Sequence, residues 1–253
     1  MSLAKWISCC AALLVGMFAL AAGAADLPEA LQKAVDAPKP TPNFAPAFDA
    51  ANFGSKIDNP YYPLEVGKTM KYAGIKDGEK TSEDFAITRD RKKILGVDTT
   101  VVYDVMQQNG KLVEETYDWF AQDKAGNVWY FGEQTRALDK GKWTTEGSWQ
   151  AGVAGAKPGI YMQGQPKVGD AYMQEFYQGH AGDSAVVLSL SEPITVPIGS
   201  YRNVQLTMEW SPDDPGSIDA KYYVKGLGVV RELAATGATE VMNLVKTVPT
   251  DPK

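Results

Sequence analysis

The side chains able to do chemistry are mainly acids set among aromatics. Glu115, Asp118, Glu133 and Glu175 are the carboxylates with aromatic neighbours, and His180 is the only histidine. Two carboxyls facing each other across an aromatic cleft would suit glycoside hydrolysis, one as acid and the other as base or nucleophile. His180 lies in Gly179-His180-Ala181-Gly182-Asp183 and could serve as a base or ligand with Asp183 or Glu175. A lone loop histidine more often has no such task, and no Gly-x-Ser-x-Gly elbow completes a Ser-His-Asp triad. Asp123 with Asn127, and Asp213 with Asp214 and Asp219, offer hard oxygens for calcium. Neither set has EF-hand spacing, and turns use these residues for backbone reasons. No metal and no cofactor is therefore expected, with a structural calcium module kept as an alternative. Trp119, Trp129, Trp143, Trp149 and Tyr161 could form a stacking platform or the wall of an apolar pocket. Core packing explains them about as well, except that Trp143 and Trp149 fall in a glycine-rich stretch where packing is the weaker account.

The elements that must hold these groups read as strands. Glu114–Gln122 and Val128–Glu133 are rich in aromatic and β-branched residues, and Asp123-Lys124-Ala125-Gly126-Asn127 between them is turn chemistry. Gly126 can take the positive φ that closes such a hairpin. On the second arm Val128 and Tyr130 point one way, Trp129 and Phe131 the other, so both faces need cover. Phe85–Thr88, Thr99–Met106, Val186–Leu190, Val204–Trp210 and Lys221–Val224 are further strand candidates bounded by Gly, Pro, Asp or Asn. A weak repeat links the halves. Val66-Gly67 recurs as Val168-Gly169, Gly96-Val97 as Gly199-Ser200, and Gly126-Asn127-Val128 as Gly228-Val229-Val230, at an almost constant separation. The expectation is a mainly β chain: an antiparallel curved sheet, half-barrel or sandwich of two similar halves, with a short N-terminal helix. One β domain would span residues 60–248. Its repeats, about 66–133 and 168–232, would be joined by a Gly/Trp loop at 141–166.

The chain begins with Lys5, an apolar run to Ala22 and small residues before Asp26, the pattern of a cleaved secretory signal over residues 1–25. Cleavage would remove Cys9 and Cys10, leaving no disulfide, thiolate metal site or cysteine nucleophile. The location expected is periplasmic or secreted, without membrane insertion once the signal is gone. Residues 26–59 hold a short amphipathic piece (Leu27, Leu31, Ala34, Val35) capped by Asp26. Pro38, Pro40, Pro42 and Pro46 follow, which suits a tether or a strap along the domain. A net charge of −6 argues against nucleic acid as a partner.

The phrases Asn59-Pro60-Tyr61-Tyr62-Pro63-Leu64, Asp118–Asp123, Gly126–Glu133, Gly147–Val153 and Pro158-Gly159-Ile160 resemble a family of uncharacterised exported bacterial proteins. The resemblance runs over nearly all of the chain from Asn59 onward and implies no particular activity. Gly226–Glu232 is similar to a strand-entry phrase in periplasmic half-barrel proteins. Together these suggest an exported, non-enzymatic binding or envelope-associated protein for a small amphiphilic or apolar ligand. Its site would lie where the 141–166 segment covers the aromatic hairpin, with a few acids at the edge. A glycan hydrolase using Glu115, Asp118, Glu133 or Glu175 is the alternative.

Overall fold

The computed structural model describes residues 27–250. The signal peptide expected over residues 1–25 lies outside them. Strand makes up 62% of the structure, which places the chain in the mainly β class. The first half is a meander of β1 (Lys68–Lys76), β2 (Glu79–Ile94), β3 (Val97–Gln108), β4 (Lys111–Gln122) and β5 (Val128–Asp139). Five short strands follow: β6 (Lys142–Thr144), β7 (Trp149–Gln150), β8 (Lys157–Met162), β9 (Ala171–Met173) and β10 (Glu175–Phe176). A second meander comprises β11 (Ser184–Val196), β12 (Gly199–Ser211), β13 (Asp214–Val224), β14 (Gly228–Thr236) and β15 (Glu240–Pro249).

All strands join one antiparallel, curved and unclosed sheet ordered β10-β8-β5-β4-β3-β2-β1-β15-β14-β13-β12-β11-β9, with β6 and β7 also on β5. The last strand therefore pairs with the first, from Lys68 opposite Pro249 to Lys76 opposite Glu240, and the two meanders meet at the middle of the sheet. Tight turns keep neighbours in sequence neighbours in space. Asn109-Gly110, between β3 and β4, has φ of 50° and 75°, the two-residue geometry whose twist matches the strands it joins. The β4–β5 turn is held by Asp123. Its carboxylate accepts from the Asn127 backbone (2.9 Å), the Asn127 amide (2.8 Å) and the Trp129 indole (2.8 Å), while Gly126 takes φ 87°.

Residues 141–166 are built largely into the sheet, since β6, β7 and β8 all pair with β5. The short helix α1 (Glu29–Val35) buries Leu31. Its N-cap is Pro28, whose side chain makes no capping bond, so the helix starts later than Asp26 would place it. The proline-rich stretch then runs along the domain. The Asn43 and Phe44 amides donate to the Ala171 carbonyl (2.8 and 3.0 Å), and Ala171 donates to Asn43 Oδ1 (2.9 Å). That covers edge strand β9, whose open backbone would otherwise invite pairing with another chain. Phe48 and Phe53 lie edge-on to Trp129 and Phe131, which supplies the cover that the second face of β5 needs. No helix among the described residues is long and apolar enough to cross a membrane.

Candidate functional site

The inner face of the curved sheet is unusually polar. Strand register sets its residents: Glu83 opposes Tyr72 on β1 and Met106 on β3, Asp104 opposes Phe85 and Thr116, and Asp118 opposes Val102 and Glu133. From the other half come Asp219, Lys221 and Tyr223 of β13, with Lys221 opposite Glu232 of β14 and Thr207 of β12. Acid thus faces acid directly across β4 and β5, an arrangement that is unfavourable if both are charged.

Tyr130 is the hub of one end. Its hydroxyl lies 2.6 Å from Asp118 Oδ1 and 3.1 Å from Glu133 Oε2, and its ring stacks on Phe120 at 4.8 Å. Trp149 packs edge-on against it at 5.5 Å and Tyr161 at 6.0 Å. Tyr130 and Glu133 share a face because the ladder carries a bulge here, with Gly132 at φ 117°. Burial raises the Asp118 carboxyl to about 7, against the opposing bond from Tyr130. Burial, then Glu175 and Asp118, hold Glu133 well above its ordinary range. Burial also brings Glu83 to about 8 and Glu114 and Glu232 to about 7. These carboxyls therefore keep protons at neutral pH that free acids would lose.

Two lysines enter this face as ion-paired groups. Lys221 contacts Glu209 at 2.8 Å and lies 3.9 Å from Glu232. Burial works to lower its pKa, but Glu209 and Glu232 outweigh that and hold it well above normal. Lys76 pairs with Glu240 at 3.1 Å. Between the halves a cavity of about 60 Å³ is lined by Asp118, Asp104, Glu83, Glu232, Lys221 and the rings of Tyr62, Phe120 and Tyr161, among others.

A second concavity lies outside the sheet and has the opposite character. It is a groove of about 770 Å³ between the proline-rich strap (Pro42, Phe44, Phe48), the β2–β3 turn at Leu95, and Trp129, Ile160 and Phe176. Gly152 and Gly155 of the segment after β7 form part of its rim, and Lys157 is its one charged lining residue.

The residues singled out from the sequence divide between these places. Asp118 and Glu133 meet at Tyr130, and Glu175 lies buried beside the same tyrosine on a small void shared with Lys221. Glu115 is on the other face of β4, paired with Arg136 at 2.6 Å, and exposed His180 stacks on Tyr177 at 4.4 Å. Among the aromatics, Trp149 and Tyr161 converge on Tyr130 and Trp129 lines the outer groove. Trp119 lies under Lys92 Nζ, 3.2 Å from the ring centre, and Trp143 is 45% exposed beside Arg136. The groove carries a lysine at its edge rather than acids. Sequence reasoning overlooked Tyr130, Tyr62, Lys221, Asp104, Glu83 and Glu232. The signal was there in alternation: Glu114-x-Thr116-x-Asp118-x-Phe120 and Asp219-x-Lys221-x-Tyr223 each line one face with polar and aromatic groups.

Among the described residues no group of three or more His, Cys, Asp or Glu is placed to hold a metal ion. The chain matches no protein-family model and no curated protein. It is similar in structure to a Bacteroides fragilis protein thought to be exported and having a YmcC-like fold. That similarity spans 74% of this chain and 98% of the other at 11% identity and a TM-score of 0.44, too distant to transfer site residues.

Proposed function

We propose that this protein is an exported, non-enzymatic binding protein for a small apolar or amphiphilic molecule, taken up in the outer groove. The supporting observation is the groove itself. Its volume of about 770 Å³ falls within the roughly 300–1,000 Å³ of ordinary small-molecule sites, and its walls are almost wholly apolar. Trp129 and Ile160 give it a rigid floor, because both are buried in the sheet, while Phe44 and Phe48 arrive on the strap. Lys157 at the rim favours an acidic head group over a neutral or basic one. The hydrolase alternative draws on the carboxyls at Tyr130. The cavity beside them, about 60 Å³, has room for only about four to six waters at the usual 10–15 Å³ minimum each, too little for a sugar ring with its hydroxyls.

The test is a fluorescence titration with the anionic apolar dye 1-anilinonaphthalene-8-sulfonate, alongside native mass spectrometry of protein purified from its own envelope fraction. Saturable dye binding is expected, weakened about tenfold or more by Phe176→Ala or Lys157→Glu, two exposed positions whose change should leave the fold intact. A co-purifying acyl or other apolar mass would identify the ligand class. Dye binding unchanged in both variants would remove the groove as the site.

A further inference from the structure

The inner cavity is separate from the groove and asks for a different ligand. We propose that it binds a small primary ammonium ion, held by Asp118 Oδ2 and faced by the rings of Phe120, Tyr62 and Tyr161. Asp118 is only 1% exposed and lines the cavity. Its Oδ1 accepts the Tyr130 hydroxyl at 2.6 Å, whereas Oδ2 is buried without a hydrogen-bond partner. A buried carboxylate oxygen left bare costs free energy that a bound donor would recover. Asp104, on the same cavity, likewise has a buried Oδ1 without a partner.

The walls suit nitrogen better than a metal. Tyr62, Phe120 and Tyr161 form one cluster, with ring centres 5.6 Å apart for Tyr62–Phe120, 4.5 Å for Tyr62–Tyr161 and 5.1 Å for Phe120–Tyr161. Ring faces attract ammonium ions, which need one charge partner and donate their own hydrogen bonds. A divalent metal wants several oxygens together, and no such set exists among the described residues. The protein already shows the chemistry next door. The Lys221 ammonium lines the same cavity, 2.8 Å from Glu209 and 5.8 Å from the Tyr161 ring centre. Lys221 is ion-paired with Glu209 and lies 3.9 Å from Glu232. Its charge also reaches Asp118, but no hydrogen bond joins it to Asp118 Oδ2, which stays available to a donor from outside. At about 60 Å³ the space holds a small ion such as methylammonium or ethylammonium, whereas a fully methylated ammonium has no N–H to donate to Oδ2.

The experiment is a melting series on the purified protein at pH 7.5 with methylammonium, sodium or tetramethylammonium chloride at equal ionic strength. Methylammonium alone should give a saturable rise of about 2–4 °C once several-fold above its Kd. Asp118→Asn keeps the side-chain shape and the acceptor for Tyr130, and it should abolish that rise. Asp118 is faced by the Tyr130 hydroxyl, by the acids Glu83, Asp104, Glu114, Glu133 and Glu232, and by the Lys221 ammonium. Lys221 lowers its proton affinity while the acids raise that of the cluster, so calorimetry in buffers of different ionisation heat should show proton release as the ammonium binds. Equal shifts from sodium, a full response in Asp118→Asn, or binding without proton release would each overturn the assignment. If Asp118→Asn fails to fold, the selectivity and proton release of the unmodified protein decide the matter alone.

Discussion

Trp149 and Trp143 sit close together in a glycine-rich stretch and have opposite roles. Trp149 is 5% exposed and edge-on to Tyr130, whereas Trp143 is 45% exposed with Arg136 against its ring at 4.9 Å. Trp149→Ala should therefore cost about 3–5 kcal/mol through the lost burial and the void left behind. Trp143→Ala should cost less than about 1 kcal/mol, the range of an exposed cation–ring contact. Urea unfolding of the two variants checks this, and equal losses would contradict the burial difference. Composition could not separate them, because both share the same kind of local sequence. What distinguishes them is that β7 pairs Trp149 with Glu133 deep on β5, while β6 pairs Trp143 with Leu138 near its end.

At the scale of elements, β5 is where local reading and structure part. Alternation correctly puts Val128 and Tyr130 opposite Trp129 and Phe131, and the Asp123–Asn127 turn is plain in the residues that build it. Simple alternation continued past Phe131 would put Glu133 on the face away from Tyr130. The bulge at Gly132 brings it back, and this is the step that joins Glu133 to Asp118 through one hydroxyl. Gly132 is also pressed against β7: a Cβ there would lie 2.3 Å from the Trp149 carbonyl oxygen, on top of the strain of φ 117°. Gly132→Ala should thus loosen β7 from β5, at a cost of at least about 1–3 kcal/mol. The Ala151 amide, which donates to the Phe131 carbonyl at 2.9 Å, should then exchange with solvent at least tenfold faster by hydrogen exchange. An Ala151 amide as protected as in the parent would mean that the bulge accepts a side chain.

For the molecule as a whole, the inner face makes stability depend on pH with an uncommon sign. Glu83 titrates near 8 and Glu114, Asp118 and Glu232 near 7 in the folded chain, all raised chiefly by burial. Unfolded, the same groups ionise near 4. Between those limits the folded state binds more protons, so its stability is full at low pH and is lost as pH rises from about 5 to 8. The urea midpoint should fall steadily over that range, and a midpoint that rises instead would mean the acids are paired in a way the register does not show. An isosteric replacement of several of these carboxyls by amides should flatten the curve.

Much of the architecture follows from the sequence alone, because strand-forming residues and turn residues alternate at short range and each carries its own local preference. Period-two patterning, Asn-Gly and Asp-bounded turns, and a short amphipathic start were enough for a mainly β, curved antiparallel sheet with one small helix. The placement of function was not legible in the same way. Whether Pro42–Phe48 is a tether or a strap depends on Asn43 finding Ala171, far along the chain. Whether the acids form a pair depends on a bulge and on β13 and β14 crossing to face β4. Those contacts arise only when the two meanders share one sheet through β1 and β15, since burial, charge pairing and cavity shape are properties of residues brought together from distant parts of the chain.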